Sequence, residues 1–279
     1  MRRLLAPLLP SALLAVVALL ALACGGSSSE TSGPTDAAGK VSGKITVFAA
    51  SSLTKAFNEE KRAFEAAHPG ITVEFNFAGS PTLRTQLEQG ADADVLAIAD
   101  QTNMDAAQQS HLILAGGTTF ARNKLVVIVP KSNPANITTP YELGKSGLKL
   151  VIAQQGVPAG DYARQVFANM EADAQGGPGI AAAVLSNVVS EEANVKAVVS
   201  KVQLGEADAG IVYATDVTPD LAADITLIAI PDNVNIIATY PIAVTANVAK
   251  PVIAQGFIEF VLSPAGQQIL AANGFLPAQ

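Results

Sequence analysis

The sequence predicts an α/β fold with mainly parallel sheets, and two observations carry that expectation. From Lys44 to the C-terminus, strand-like and helix-like stretches alternate, which is the order of a sheet whose strands are joined by crossover helices. The strand-like stretches are also short and almost continuously apolar, as suits strands covered by helices on both faces.

Ile45, Val47 and Ala49 lie in an apolar run that ends at Ser51-Ser52. Leu53, Ala56, Phe57, Ala63, Phe64 and Ala67 then recur at helical spacing, and His68-Pro69-Gly70 stops that helix. Ile71, Val73, Phe75 and Phe77 alternate as a strand. Ser80-Pro81 reads as an N-cap followed by a first-turn proline, Gly90 ends the helix, and residues 94–99 form the next strand. Further strands are expected at 125–129, 148–153, 209–214, 225–230 and 236–244. Further helices are expected at 161–170, along the stripe Val195, Val198, Val199 and Val202 closed by Gly205, and at 252–262 and 265–272.

Composition excludes several functions. Hydrophobic residues are 49% and charged residues 15% of the chain, so a packed core is expected and disorder is not. Trp is absent and aromatics are 5%, which argues against a sugar-stacking or nucleic-acid platform. A net charge of -7, with no Lys/Arg run in the mature part, makes nucleic acid a poor partner. The one cysteine, Cys24, permits neither an internal disulfide nor a thiolate metal cluster. His68 and His111 are the two histidines and read as surface residues, so a histidine-rich metal site is excluded.

The N-terminus is an address. Met1-Arg2-Arg3 is a basic start, residues 4–23 are largely apolar, and Ala21-Leu22-Ala23-Cys24-Gly25 follows. This is a secretory signal, residues 1–23, ending at a cysteine that resembles the bacterial lipobox. Ala21 stands where leucine is most usual. An uncleaved membrane anchor is the other reading, and both put the rest of the chain outside the cytoplasm. Residues 24–43 then give the lipidated cysteine and a Gly/Ser/Thr-rich tether reaching about 25 Å.

In folds of this class, ligands sit at the carboxyl ends of strands beside the N-termini of the following helices. Three junctions are equipped for that: Ala50-Ser51-Ser52, Ala78-Gly79-Ser80 and residues 155–160, QGVPAG. Each offers small residues and free backbone N–H groups at a helix start, which is the chemistry of an anion site. Ordinary N-capping would explain any one of them.

The ordered motifs then resemble a known family. KITVFAASSLTKAF at 44–57, FAGSPTL at 77–83, QGADADV at 89–95, VPAG at 157–160, GIVYATD at 210–216 and NGF at 273–275 resemble the periplasmic molybdate-binding proteins, in the same order along the whole mature domain. The resemblance implies a two-lobed type II periplasmic-binding fold with the ligand in the interlobe cleft. Crossovers near Leu125 and near Tyr240-Pro241 would make lobe I 44–124 with 241–279, and lobe II 125–240. It also implies ligand contacts: hydroxyls and amides of Ser52 and Ser80, backbone amides of Ala159 and Val195, and the Tyr213 hydroxyl. Gly79-Ser80-Pro81 replaces a serine-rich run found in some relatives while keeping Ser80. No cofactor is implied, and molybdenum enters only as the oxyanion. The implied partners are molybdate or tungstate, an ABC permease, and the membrane through lipid on Cys24, with the protein a monomer anchored on the extracytoplasmic side of the cell membrane.

That donor set is physically apt. A tetrahedral dianion presents only acceptors, so a site holding donors and no carboxylate would prefer it over hydrogen phosphate. Oriented neutral dipoles can hold it without desolvating a cation. Two alternatives compete. Another small anion, such as sulfate or phosphate, would fit the same fold, with Asp161 or Asp216 as a phosphate-selecting carboxylate if they are not simply solvated. A penicillin-recognising serine enzyme is hinted at by Ser52-Leu53-Thr54-Lys55 and Lys145-Ser146-Gly147, but its Ser-x-Asn element is missing and no enzyme activity is expected. Glu191-Glu192 reads as a solvated pair, and residues 176–179 read as a turn rather than a phosphate loop.

Overall fold

The computed structural model describes residues 41–279. The signal at 1–23, Cys24 and all of the tether before Val41 lie outside the described residues. Nine strands and eight α-helices follow, with short 3₁₀ turns between them. In chain order the first are β1 (Gly43–Ala50), α1 (Thr54–Ala67), β2 (Ile71–Ala78), α2 (Ser80–Glu88), β3 (Val95–Ala97) and α3 (Gln101–Gln109). The long strand β4 (Thr118–Pro130) leads to β5 (Leu150–Ala153), α4 (Pro158–Ala172), α5 (Ile180–Ser186), β6 (Val188–Glu192) and α6 (Val195–Gln203). The chain ends with β7 (Ala209–Tyr213), β8 (Ile225–Ala229), β9 (Ile237–Val244), α7 (Pro251–Leu262) and α8 (Pro264–Ala272).

The strands run in the order β2-β1-β3-β9-β4-β7-β5-β6, with β8 also on β4. Two sheets meet in β4. Its residues 118–124 pair with β9, whereas residues 125–130 pair with β7 and β8. The pairing of β4 therefore changes from one sheet to the other between Lys124 and Leu125. On the return, all of β9 from Ile237 pairs with β4 or β3 in the first sheet, so Ile237 to Tyr240 lie beside Lys124 to Ala121.

The sheets are less parallel than expected. β1 is parallel to β2 and β3, and β5 to β6 and β7. Every antiparallel pairing involves β4 or β9. These two strands link the lobes, one outward and one back, and each runs against its neighbours.

Apolar strands are buried from both sides. On one face of the first sheet Val47 and Ala49 pack with Phe57, Phe64 and Phe257 of α1 and α7. On the other, Phe48 and Leu96 pack with Leu83, Leu87 and Met104 of α2 and α3. Leu150–Ala153 of β5 and Ala209–Tyr213 of β7 are buried at every residue. This is the two-sided cover that the unbroken apolar runs called for. Glu191 and Glu192, expected to be a solvated pair before a helix, lie in edge strand β6 ahead of α6, Glu191 exposed and Glu192 half-buried. There they meet Arg164 of α4 and Lys201 of α6, each at 2.6 Å.

Several quoted motifs are frame rather than site. Asp94 of QGADADV is buried and accepts from Thr46 N at 2.8 Å, Ala249 N at 2.8 Å and Lys250 N at 3.1 Å, tying β1 to the start of α7. Asn273 of NGF joins Glu59 on α1 to the end of α8. Gly160 of VPAG lets α4 start against the end of β5, because a Cβ there would stand 2.2 Å from the Ala153 carbonyl oxygen.

Candidate anion site in the cleft

The starts of α2, α4 and α6, and the 3₁₀ turn Ser51–Leu53 that leads into α1, converge on one small pocket. Ser51, Ser52, Gly79, Ser80, Ala159, Asn194, Val195 and Tyr213 are among its lining residues. All five positions singled out from the sequence, Ser52, Ser80, Ala159, Val195 and Tyr213, thus face one cavity, although they come from both lobes. The cavity volume is about 10 Å³, far below the roughly 300–1,000 Å³ of pockets for drug-sized ligands. No Lys, Arg, His, Asp or Glu lines it.

The helix starts explain its chemistry. The first N–H groups of a helix have no partner within it and carry the positive end of its dipole. At α6 the Asn194 side chain accepts from Ala197 N at 3.1 Å, so the cap takes one N–H of the first turn. Pro81 and Pro158 fall in first turns, where the lost N–H breaks no helical bond.

Neither serine is an N-cap, which corrects the sequence reading of Ser80. Gly79 holds the cap position, and α2 begins at Ser80 itself. The Ser80 hydroxyl, 1% exposed, instead accepts from Ala99 N at 3.1 Å. Ser52 Oγ lies 3.0 Å from the Tyr240 hydroxyl. The Asn123 side-chain amide donates to that same hydroxyl at 3.4 Å and to Thr215 Oγ1 at 2.8 Å. Either hydroxyl of the Ser52–Tyr240 pair can be the donor; when Tyr240 donates, the Ser52 proton is free for the pocket. Ser80 reaches the same state by accepting from Ala99. Ser80 therefore has an oxygen satisfied by the fold and a proton to give, and Ser52 has the same when Tyr240 donates to it.

Tyr213 completes the set. Its hydroxyl is buried without a hydrogen-bond partner, and its ring stacks edge-on against Tyr240 at 5.6 Å. Burial, and then the neighbouring Tyr240, push its pKa well above the ordinary tyrosine value, so it stays a donor. An unpartnered buried hydroxyl costs about 1–3 kcal/mol unless something fills the gap.

Both candidate carboxylates lie outside the lining. Asp161 accepts from Gly156 N at 3.0 Å. Asp216 is fully buried rather than solvated, accepts from Tyr213 N at 3.1 Å, and has Lys196 Nζ at 3.3 Å. Burial raises its pKa, although Lys196 opposes the shift. Asp100, the buried N-cap of α3, is pushed up to about 6, chiefly by burial. The serine-enzyme alternative finds no support here: Ser52 faces Tyr240, while Lys55 is exposed and lines a different surface hollow. Sequence reasoning missed Asn194, which its place before an apolar helical stripe could have signalled. It also missed Tyr240 and Asn123, whose partners are distant in the chain.

A two-lobed α/β frame with a small, uncharged, donor-lined pocket in its cleft defines a binding protein for a compact anion. Comparison with known proteins agrees. The model of the bacterial extracellular solute-binding protein family matches residues 45–276, and the chain belongs to that family. The molybdate-binding protein ModA of Mycobacterium tuberculosis strain H37Rv is 38% identical over 256 residues, covering 91% of this chain and 92% of its own. ModA of Escherichia coli K12 is 30% identical, covering 84% and 89%. The periplasmic molybdate-binding protein of Azotobacter vinelandii shares the type II fold, with a TM-score of 0.72 at 21% identity over 84% of this chain and 100% of that one.

Proposed function

We propose that the protein captures molybdate, and its near-equal in size tungstate, outside the cytoplasmic membrane and hands it to an ABC importer. It is a binding protein and not an enzyme, and the oxyanion is cargo rather than cofactor. The observation that carries this reading is the pocket itself: neutral donors from both lobes, no acid or base in the lining, and a buried tyrosine hydroxyl left without a partner. The similarity to ModA proteins supplies the choice of anion. Ser52, Ser80, Ala159, Val195 and Tyr213 are the proposed ligand contacts. An open form takes up the anion, and closure brings the two sets of donors together.

The lobes are proposed as 44–124 with 241–279, and 125–240; the pairing of β9 favours moving 237–240 to the first. Among the described residues no helix is long and apolar enough to cross a membrane. Attachment is proposed through lipid on Cys24, on the extracytoplasmic side, with the protein working as a monomer. Labelled fatty acid should enter the native chain in its host and not the Cys24→Ser variant; equal labelling would remove the anchor.

Calorimetric titration with molybdate, tungstate, sulfate and phosphate tests the function. Tight one-to-one binding of the first two and little of the others is expected. Binding of sulfate or phosphate in their place would overturn the assignment.

A further inference from the structure

Gly79 touches the opposite lobe at the mouth of the pocket. It precedes Ser80 at the start of α2, in the first lobe. A Cβ built on it would stand 2.3 Å from the carbonyl oxygen of Ala193 and 3.7 Å from Val157 Cγ2, both in the second lobe. Ala193 lies two residues before Val195, and Val157 two before Ala159. Three of the segments that line the pocket, drawn from both lobes, therefore meet at this one point.

The backbone of Gly79 does not itself require glycine. Its φ of -66° and ψ of 145° are open to any residue. Only the approach of the other lobe forbids a side chain. The obstacle is a backbone oxygen, not the end of a flexible side chain, so it cannot swing aside. Ordinary contact begins near 3.4 Å, so a methyl group would force the 193–195 segment back by about 1 Å.

We propose that Gly79 is the stop that sets how closely the lobes approach, and hence the span between the Ser80 and Val195 donors. This inference rests on the binding function proposed above. Its bare Cα lets the second lobe come within hydrogen-bonding range of an anion already held by the first. With the 193–195 backbone placed as it is in this chain, a larger residue leaves the cleft ajar, with the donors of each lobe intact but too far apart to share one small ion; a relative with serine here needs that segment set further back.

The test compares Gly79→Ala and Gly79→Ser with the native chain by molybdate titration, dissociation kinetics, thermal denaturation without ligand, and small-angle scattering with and without it. Ligand-free melting should be unchanged, because the open form has no clash. Molybdate affinity should fall at least tenfold, mainly through faster release, and the ligand-driven compaction should shrink. Native affinity and native compaction in both variants would overturn the proposal, and so would a loss of ligand-free stability that accounts for the weaker binding. A native chain that ignores molybdate overturns the functional reading instead. The same comparison is then run with whichever of tungstate, sulfate or phosphate compacts the native protein.

Discussion

Replacing Tyr213 with phenylalanine removes one oxygen and little else. The residue is 1% exposed, and its edge-on contact with Tyr240 at 5.6 Å survives in phenylalanine. The hydroxyl makes no hydrogen bond within the protein, so ligand-free stability should hold or rise slightly, because a buried polar group without a partner is a cost. Bound anion reverses the account. A neutral donor facing a charged acceptor contributes about 1.5–3 kcal/mol, so the dissociation constant should rise roughly 10- to 150-fold. Because burial keeps the native hydroxyl protonated, the ratio should not change between neutral and mildly alkaline pH. Calorimetric titration gives the ratio, and thermal denaturation without molybdate gives the control. An affinity within twofold of native would refute the assignment of Tyr213 to the site. A matching loss of ligand-free stability would make it a core residue instead.

The relay behind Ser52 predicts coupling. Tyr240→Phe should weaken molybdate binding by about 0.5–1.5 kcal/mol, the worth of an ordinary hydrogen bond, although the Tyr240 hydroxyl acts only through Ser52. In a double-mutant cycle with Ser52→Ala its effect should largely vanish; full additivity would sink the relay. Glu60 predicts a pH effect far from the site. It is fully buried on α1, neither oxygen has a partner, and burial together with Glu59 raises its pKa from 4.5 to about 8. The folded form then holds this proton where the unfolded form has lost it. The stability tied to this group is complete below about 4.5 and is lost as pH rises through about 8. At pH 7 the cost is about 3 kcal/mol at 1.36 kcal/mol per pKa unit. Glu60→Gln should gain on the native protein in urea unfolding from pH 5 to pH 8, and a difference that stays flat would refute the burial argument.

Much of this was written locally in the chain. The β1–α1, β2–α2 and β5–α4 junctions announce themselves because strand and helix differ in period and small residues stand between them. Periodicity located α6, and therefore Val195, but nothing local marks Val195 as facing an anion; only the ordered family motifs did. Hidden features all depend on partners distant in sequence. Residues 118–124 carry Arg122, Asn123 and Lys124 amid few apolar residues, so the first half of β4 does not read as a strand; pairing with β9 makes it one. Asp216 looks like a solvated strand end, yet the Tyr213 amide and Lys196 let it be buried. The Ser80 hydroxyl looked like a cap because the sequence cannot show that Ala99, 19 residues on, would claim it.

The absence of cations from the pocket of an anion-binding protein follows from the same geometry. A lysine in so small a cavity would have to shed its water before the ligand arrived, and its charge would favour any anion alike. Helix starts avoid both costs, because their N–H groups are already fixed by the backbone. Each helix N-terminus is equivalent to roughly half a positive charge. With α2, α4 and α6 beginning at the pocket and the 3₁₀ turn before α1 beside them, the three α-helix starts offer about one and a half charges in sum, most of what a dianion needs. Selectivity then comes from proton direction. Ser52 and Ser80 have their oxygens engaged by Tyr240 and by the Ala99 amide, and Tyr213 keeps its proton. An anion that carries its own proton, as hydrogen phosphate does, meets donors where it needs an acceptor. Asp161 and Asp216 could have supplied one, but neither lines the pocket; Asp161 accepts from Gly156 N, and Asp216 meets Tyr213 N and Lys196. On the proposed site, phosphate would be disfavoured because its proton meets mostly donors, while sulfate, fully ionised like molybdate, would have to be distinguished by size. The distance between the lobes is therefore the remaining determinant of selectivity, and Gly79 is where that distance is set.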